Sequence, residues 1–234
     1  MNLRRSGDRP LVIGHRGARA VAPENSQAAF EAAVAAGADL VEFDIAPGLR
    51  VAHDPRDVVE SSPTLDEALE YLSAQGVGMH LDVKLPGYEQ EVVAAVDRHG
   101  LRDRVMFSTA YAAVSRRLSA LAPGVPVAIG YPRDRYGVSH VRWPAGLTRT
   151  GAAALRAAMP ARIPVLLAWA RANTLTLHHT LCSRAAVATA HRLGAPVLAW
   201  TVNDEAAARR VVAAGVDGIV SDDPKRLLAT LISP

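Results

Sequence analysis

Charged residues stand two positions apart in two apolar segments of the chain. Glu42 and Asp44 lie in one such segment, and Asp82 and Lys84 lie in the next. Because a β-strand points alternate side chains to opposite faces, each pair projects from one face of its strand. Burying two carboxylates on one face is costly unless a cation lies between them. The spacing therefore predicts a site for a hard divalent cation with oxygen ligands, either Mg²⁺ or Ca²⁺.

The elements that must position these residues are short apolar runs that alternate with alanine-rich stretches. We predict strands at 11–14, 40–44, 79–84, 105–108, 127–131, 175–178, 197–201 and 218–221. We predict helices at 26–36, 65–74, 89–98, 112–120, 151–172 with breaks near Pro160 and Pro164, 183–192, 204–213 and 224–231. Residues 131–149 are the least regular stretch, which we interpret as a long loop.

Strict alternation predicts parallel strands, and eight repeats predict a closed barrel. The fold expected is a single (β/α)8 TIM barrel that covers residues 1–234. A doubly wound open sheet is the alternative, but the first strand lacks the glycine-rich turn of dinucleotide-binding folds. Active sites of such barrels lie at the C-terminal ends of the strands. His15 and Arg16 follow the first strand, and the two charged pairs end the next two, so all of them should converge there.

The composition restricts the function classes. The 234-residue chain has a formal net charge of +3, and it holds only two lysines, Lys84 and Lys225. No dense basic run with interleaved aromatic residues occurs, so nucleic-acid binding is not expected. The lone Cys182 suits a reducing compartment, and we expect it to be a small buried residue. We find no signal peptide and no apolar run near the roughly 20 residues that span a bilayer, which predicts a soluble cytoplasmic protein without stable membrane insertion.

Six short motifs are spread over nearly the whole chain. They are Gly14-His15-Arg16-Gly17, Pro23-Glu24-Asn25-Ser26, Glu42-Phe43-Asp44, His53-Asp54, Trp200-Thr201-Val202-Asn203 and Gly215-Val216-Asp217-Gly218. In type and order they resemble the motifs of the glycerophosphodiester phosphodiesterase family. The resemblance implies a metal-dependent barrel enzyme that hydrolyses a small-molecule phosphodiester to a phosphomonoester and an alcohol.

The resemblance also implies roles for individual residues. His15 and His53 match the acid/base pair of the family, Glu42 and Asp44 match its metal ligands, and Arg16 matches the residue that holds a phosphate oxygen. These roles agree with the chemistry, since phosphodiester cleavage needs a proton acceptor, a proton donor and positive charge near the phosphate oxygens.

Four further residues are candidates, and three of them have two interpretations. Asp82 is a third metal ligand, and Lys84 is a phosphate contact or a member of a structural salt bridge. Trp200 is an apolar wall over the substrate or a core residue. His80 lies two positions before Asp82 in the same predicted strand, so both side chains project from the same face. His80 therefore either orients the Asp82 carboxylate or fills an interior layer of the barrel.

The sequence departs from the family in two places, one that concerns metal ligation and one that concerns substrate size. The family has Glu where this chain has Asp82, and Asp is one methylene shorter, so either the cation lies closer to that strand or a water bridges the gap. The family also carries a small inserted subdomain between the His-Asp turn and the third strand. Here residues 53–82 hold little beyond a loop and one helix, which predicts a more open mouth and admits larger substrates.

Two other functions remain open from the sequence alone. One is a hydrolase of lipid headgroups, of the phospholipase D or sphingomyelinase D kind, which shares the barrel, the histidines and the carboxylates. The other is a non-catalytic module that binds phosphate esters. The oligomeric state and the alcohol leaving group are not predicted.

Overall fold

The computed structural model describes residues 1–5, 7, 9–132 and 145–232. Its strands are β1 (Leu11–Gly14), β2 (Leu40–Ala46), β3 (Arg50–Val51), β4 (Gly78–Val83), β5 (Val105–Thr109), β6 (Val127–Tyr131), β7 (Thr174–His178), β8 (Val197–Trp200) and β9 (Gly218–Ser221). Its helices are α1 (Gln27–Ala35), α2 (Leu65–Ala74), α3 (Glu89–Arg98), α4 (Ala112–Leu121), α5 (Ala145–Ala170), α6 (Arg184–Arg192), α7 (Glu205–Ala214) and α8 (Pro224–Ile232).

Eight parallel strands form a closed barrel with helices between them, which confirms the predicted (β/α)8 fold. The strands follow chain order around the barrel, and β1 pairs with both β2 and β9, so the sheet closes on itself. The short β3 lies outside this ring as an antiparallel partner of the end of β2. It belongs to a hairpin that turns through Gly48 and Leu49, both with positive φ, and it leads directly to His53.

Between β3 and β4 the chain forms only one 3-10 turn, Pro55–Asp57, and helix α2. Thr64 precedes helix α2 as its N-cap. The Thr64 side chain accepts from the backbone N–H of Glu67, and the Glu67 side chain accepts from the backbone N–H of Thr64. Ser26 caps α1 in the same region of the barrel by accepting a hydrogen bond from the backbone N–H of Ala29. No inserted subdomain interrupts this described segment, as predicted.

Helix α5 differs from its prediction in both extent and continuity. It begins at Ala145 and runs without a break through Pro160 and Pro164 to Ala170. Each proline removes one helical hydrogen bond. The helix persists because Met159, Ile163 and Leu167 form a continuous buried stripe against the barrel. Residues 145–149 are therefore helical and not part of the predicted loop, whereas residues 133–144 of that loop lie outside the described residues.

The prediction that no segment is apolar enough to span a bilayer was wrong for part of α5. By length and composition alone, the 20 residues Gly151–Ala170 meet that requirement. Only 17% of the stretch is buried inside the protein. Alanine dominates the stretch and only Arg156 and Arg162 are charged, which explains its hydropathy. In the structure it is an outer helix of the barrel.

Candidate active site

The carboxylates of β2 and β4 meet at the C-terminal mouth of the barrel. The parallel register pairs Glu42 with His80 and Asp44 with Asp82, so the alternation of each strand places these side chains on the same face. One carboxylate oxygen from each of Glu42, Asp44 and Asp82 lies within 4.8 Å of the others. The predicted convergence of the three acidic residues is therefore present.

Two cations contact Asp44, which is 1% exposed. Lys84 Nζ lies 2.6 Å from Asp44 Oδ1 and 2.6 Å from Asp82 Oδ2, while Arg16 Nε lies 3.0 Å from Asp44 Oδ2. Burial raises the pKa of the Asp44 carboxyl, but Lys84, a hydrogen bond from His53 and Arg16 outweigh it and hold that pKa well below its usual range. Lys84 therefore bridges the two strands, and it also lines the pocket at this mouth.

The carboxylate of Glu42 has fewer positively charged contacts than that of Asp44. Its Oε2 accepts a hydrogen bond of 2.7 Å from the backbone N–H of Arg16. Burial and the neighbouring Asp44 nevertheless raise the pKa of Glu42 well above its usual range. Three converging carboxylates, one of them buried and short of positive charge, fit a hard divalent cation with oxygen ligands. The acidic group could therefore hold a metal ion, with Glu42, Asp44 and Asp82 as its ligands.

The turn that follows β1 explains why glycine flanks His15 and Arg16. Arg16 has a φ of 51° and Gly17 a φ of 83°, so two successive residues are left-handed. A Cβ on Gly17 would lie 2.5 Å from the backbone carbon of Ala29, and a Cβ on Gly14 would lie 2.5 Å from the oxygen of Gly17. This tight turn aims the Arg16 backbone N–H at Glu42.

The two histidines line the same pocket from different elements. His15 Nδ1 lies 2.5 Å from Asp222 Oδ1, and burial lowers the pKa of His15 while Asp222 opposes that shift. His53 Nδ1 lies 3.2 Å from Asp44 Oδ2, and its side chain is 45% exposed. His53 Nε2 lies 3.5 Å from Arg16 Nη2, so the second histidine sits beside the expected phosphate contact.

Sequence reasoning did not assign roles to two residues that hold this site together. Asn25 donates a hydrogen bond of 2.9 Å to Asp44 Oδ2 and accepts one of 3.1 Å from the Asp44 backbone N–H. Asp222, which orients His15, also accepts a hydrogen bond from Asn203. Their signals were available, because Asn25 and Asn203 lie in the quoted motifs and Asp222 directly follows the last predicted strand.

The pocket extends away from the charges into a neutral half. Its volume is about 520 Å³, which suits a small-molecule ligand. Uncharged residues line this half, among them Ser108, Thr109, Tyr111, Gly130, Pro132, Thr176 and Trp200. Trp200 is therefore one of the residues that line the pocket.

Other histidines are placed differently from His15 and His53. His80 is 3% exposed and lines the pocket, but among the described residues neither of its ring nitrogens has a hydrogen-bond partner. The expectation that His80 orients Asp82 is therefore not met, because Ser108 and Lys84 contact that carboxylate instead. His178 packs edge-on against Trp200, with ring centroids 5.3 Å apart.

The fold and the site define a barrel enzyme whose mouth combines acidic metal-ligand candidates, two imidazoles and fixed cations. The model of the glycerophosphoryl diester phosphodiesterase family matches residues 15–47 and 50–226, so the chain belongs to that family and is a phosphodiester hydrolase. A glycerophosphodiester phosphodiesterase of Caldanaerobacter subterraneus is 25% identical over 93% of this chain and 96% of its own length.

Solved structures share the fold. A glycerophosphodiester phosphodiesterase from Parabacteroides distasonis aligns with a TM-score of 0.73 at 19% identity, over 94% of this chain and 96% of that one. An Oleispira antarctica phosphodiesterase in complex with the product sn-glycerol-3-phosphate aligns with a TM-score of 0.70 at 22% identity, over 96% of this chain and 97% of that one.

Proposed function

We propose that this protein hydrolyses glycerophosphodiesters to glycerol 3-phosphate and an alcohol, with His15 and His53 as the acid/base pair and a divalent cation as cofactor. The observation that carries the proposal is the placement of both histidines around one pocket with the acidic group at its charged end. The family and the product bound by the Oleispira antarctica neighbour support the same class of substrate.

The two imidazoles supply proton transfer. One accepts the proton of the neighbouring glycerol hydroxyl as its oxygen bonds to phosphorus, and the other donates a proton to the alcohol oxygen as its bond to phosphorus breaks. Water then opens the resulting cyclic phosphate to give glycerol 3-phosphate. Both rings are anchored through Nδ1, by Asp222 for His15 and by Asp44 for His53, which directs Nε2 of each ring away from its anchor. A neutral imidazole is the acceptor form, and the lowered pKa of His15 keeps that form populated near neutrality.

The charged residues receive the phosphate. Arg16 and Lys84 line the pocket and carry positive charge next to the position expected for an anionic ester. Glu42, Asp44 and Asp82 would hold Mg²⁺ or Ca²⁺, which when bound neutralises charge that develops on the phosphate oxygens. Trp200 and the neutral half of the pocket then accommodate the alcohol portion.

A substrate panel tests the proposal. Purified protein is incubated with glycerophosphoethanolamine, lysophosphatidylcholine or bis(p-nitrophenyl) phosphate in EDTA, Mg²⁺ or Ca²⁺, and the released glycerol 3-phosphate, choline or p-nitrophenol, respectively, is measured. We expect turnover of glycerophosphoethanolamine that EDTA abolishes and a divalent cation restores. His15→Gln and Glu42→Gln should lose turnover, whereas His99→Gln and Glu70→Gln, matched changes outside the pocket, should keep it.

Two other results would indicate a different function, and a third would refute the mechanism. Release of choline from lysophosphatidylcholine without release of glycerol 3-phosphate would indicate the headgroup hydrolase. Saturable binding without turnover of any ester would indicate a binding module. Turnover that persists in EDTA and in His15→Gln would refute the mechanism.

A further inference from the structure

Helix α5 is apolar on both of its faces. Met159, Ile163 and Leu167 are buried against the barrel. On the outer face, Ala161, Val165 and Trp169 follow a spacing of four residues, and all three are exposed. Val165 is 69% and Trp169 is 63% exposed. An outer helix of a globular protein normally presents charged residues to water, so this second apolar face needs a partner.

The half of the barrel around α5 is strongly basic. Residues 104–203 contain twelve arginines and a single acidic residue, Asp134, although the whole chain has a net charge of only +3. The eight of these arginines whose side chains the structure describes are Arg104, Arg116, Arg117, Arg156, Arg162, Arg171, Arg184 and Arg192. In the described ranges, none of the eight forms an ion pair with a carboxylate.

The basic and apolar residues are parts of one surface. Arg116 Nη1 on α4 donates a hydrogen bond of 2.9 Å to the backbone oxygen of Trp169, and Ser119 Oγ donates one of 2.9 Å to the backbone oxygen of Arg171. On the other side, α6 ends in the exposed Arg192 and is followed by Leu193, which is 52% exposed. We name this surface the basic–apolar face and define it as Arg116, Val165, Trp169, Arg171, Arg192 and Leu193.

The basic–apolar face lies at the end of the barrel opposite the pocket. Helices α4, α5 and α6 run antiparallel to the strands, so their last turns reach the edge where the strands begin. Trp169 precedes the first residue of β7 by only five positions. None of the residues of this face lines the pocket at the C-terminal mouth. An occupant of the face would therefore leave the mouth open to water.

We propose that the basic–apolar face docks onto the surface of an anionic phospholipid bilayer. Exposed arginines attract anionic headgroups, and an apolar helix face with a tryptophan can sit at the boundary between headgroups and acyl chains. A second copy of the chain fits less well, because a two-fold interface would place arginines against arginines. Nucleic acid would satisfy the charges but would leave Val165 and Leu193 without an apolar partner.

Vesicle binding tests the proposal. Sedimentation with vesicles of phosphatidylcholine alone or with 30% phosphatidylglycerol is measured at low and high salt. We expect binding to the anionic vesicles only, with at least a tenfold weakening at high salt because ionic screening acts on exposed charges. Trp169 should shift its fluorescence to the blue on binding, which is measured in a Trp200→Phe background with Trp143→Phe.

Matched variants separate the apolar contribution to vesicle binding from the contribution of the arginines. Val165→Ser with Trp169→Ser should reduce binding at least fivefold, whereas Ile232→Ser, an equally exposed apolar residue on α8, should not. Arg171→Gln with Arg192→Gln should also reduce it, whereas Lys225→Gln with Arg226→Gln, an equal number of exposed basic residues on α8, should not. Phosphodiesterase activity on a soluble substrate should persist in all of these variants, so a failure of docking is distinguishable from a failure of the proposed function.

Three outcomes would overturn the proposal. The first is equal sedimentation with neutral and anionic vesicles, or none with either. The second is a dimer in light scattering that the Val165→Ser and Trp169→Ser changes dissociate, without vesicle binding. The third is salt-sensitive binding to a DNA duplex that those two changes leave intact, again without vesicle binding.

Discussion

His15 and Asp222 meet across the seam where the first and last strands of the barrel join. Gly14 and Ser221, the last residues of β1 and β9, are partners in the register of these strands. His15 directly follows β1, and Asp222 directly follows β9. The distance of 2.5 Å between His15 Nδ1 and Asp222 Oδ1 therefore follows from barrel closure. Asp222 touches neither the carboxylate cluster nor the neutral half of the pocket, so we assign it the role of positioning His15.

Asp222→Asn should lower kcat by at least about tenfold, because the imidazole of His15 loses the carboxylate that fixes its orientation and its tautomer. Asp222 raises the pKa of His15, so its removal should also move the acidic limb of the pH–rate profile to lower pH. Asp223→Asn is the control, since Asn also caps α8, where Asp223 Oδ1 accepts the Arg226 backbone N–H. An unchanged pH profile in Asp222→Asn would argue against the positioning role.

Glu42→Gln should leave the protein at least as stable as the wild type when EDTA is present. The carboxylate of Glu42 is buried, and its pKa is raised, so the charged form costs folding free energy that the neutral amide avoids. Added Mg²⁺ or Ca²⁺ should raise the Tm of the wild type but not that of Glu42→Gln, because a ligand stabilises only the state that binds it. Thermal unfolding checks both expectations, and a large loss of stability in EDTA would contradict them.

Gly17→Ala should destabilise the protein by more than a left-handed φ alone explains. An alanine at φ 83° costs about 1 kcal/mol, and here its Cβ would also lie 2.5 Å from the backbone of Ala29. Gly76→Ala is the matched control, because Gly76 has a φ of 73° with no heavy atom within 4 Å of the added Cβ. Urea unfolding of both variants gives the comparison, and equal losses would show that the turn can relax.

His80→Asn should reduce the acid sensitivity of folding. Burial lowers the pKa of His80 to about 4 from an unfolded value near 6.5. Between these values the unfolded state binds one more proton, so stability is full above pH 6.5 and is lost as the pH falls toward 4. The loss attributable to His80 is about 3 kcal/mol, from roughly 1.4 kcal/mol per pKa unit.

The measurement is the free energy of unfolding at pH 7 and pH 4.5 in EDTA for wild type and variant. The difference between the two pH values should be smaller in His80→Asn. Equal acid losses in the two proteins would show that His80 does not titrate as its burial requires.

Much of the fold was accessible from the sequence because its signals are local. The alternation of apolar runs with alanine-rich stretches identified all eight barrel strands, with ends within two residues of those observed. The start of α5 at Ala145 and its continuity through Pro160 and Pro164 were missed. The continuity could not be predicted, because the buried stripe that sustains the helix depends on packing against the barrel. The shared face of Glu42 and Asp44 followed from strand periodicity alone.

What the sequence by itself determined is the set of chemical groups and the strand end from which each one projects. The tertiary structure alone decided which groups touch: His15 with Asp222, 207 positions apart, and Asn25 with Asp44. It also decided that Lys84 bridges two carboxylates and that Trp169 remains exposed in a basic half of the barrel. Periodicity and capping act within one element, whereas these contacts exist only because closing the barrel brings distant strand ends together.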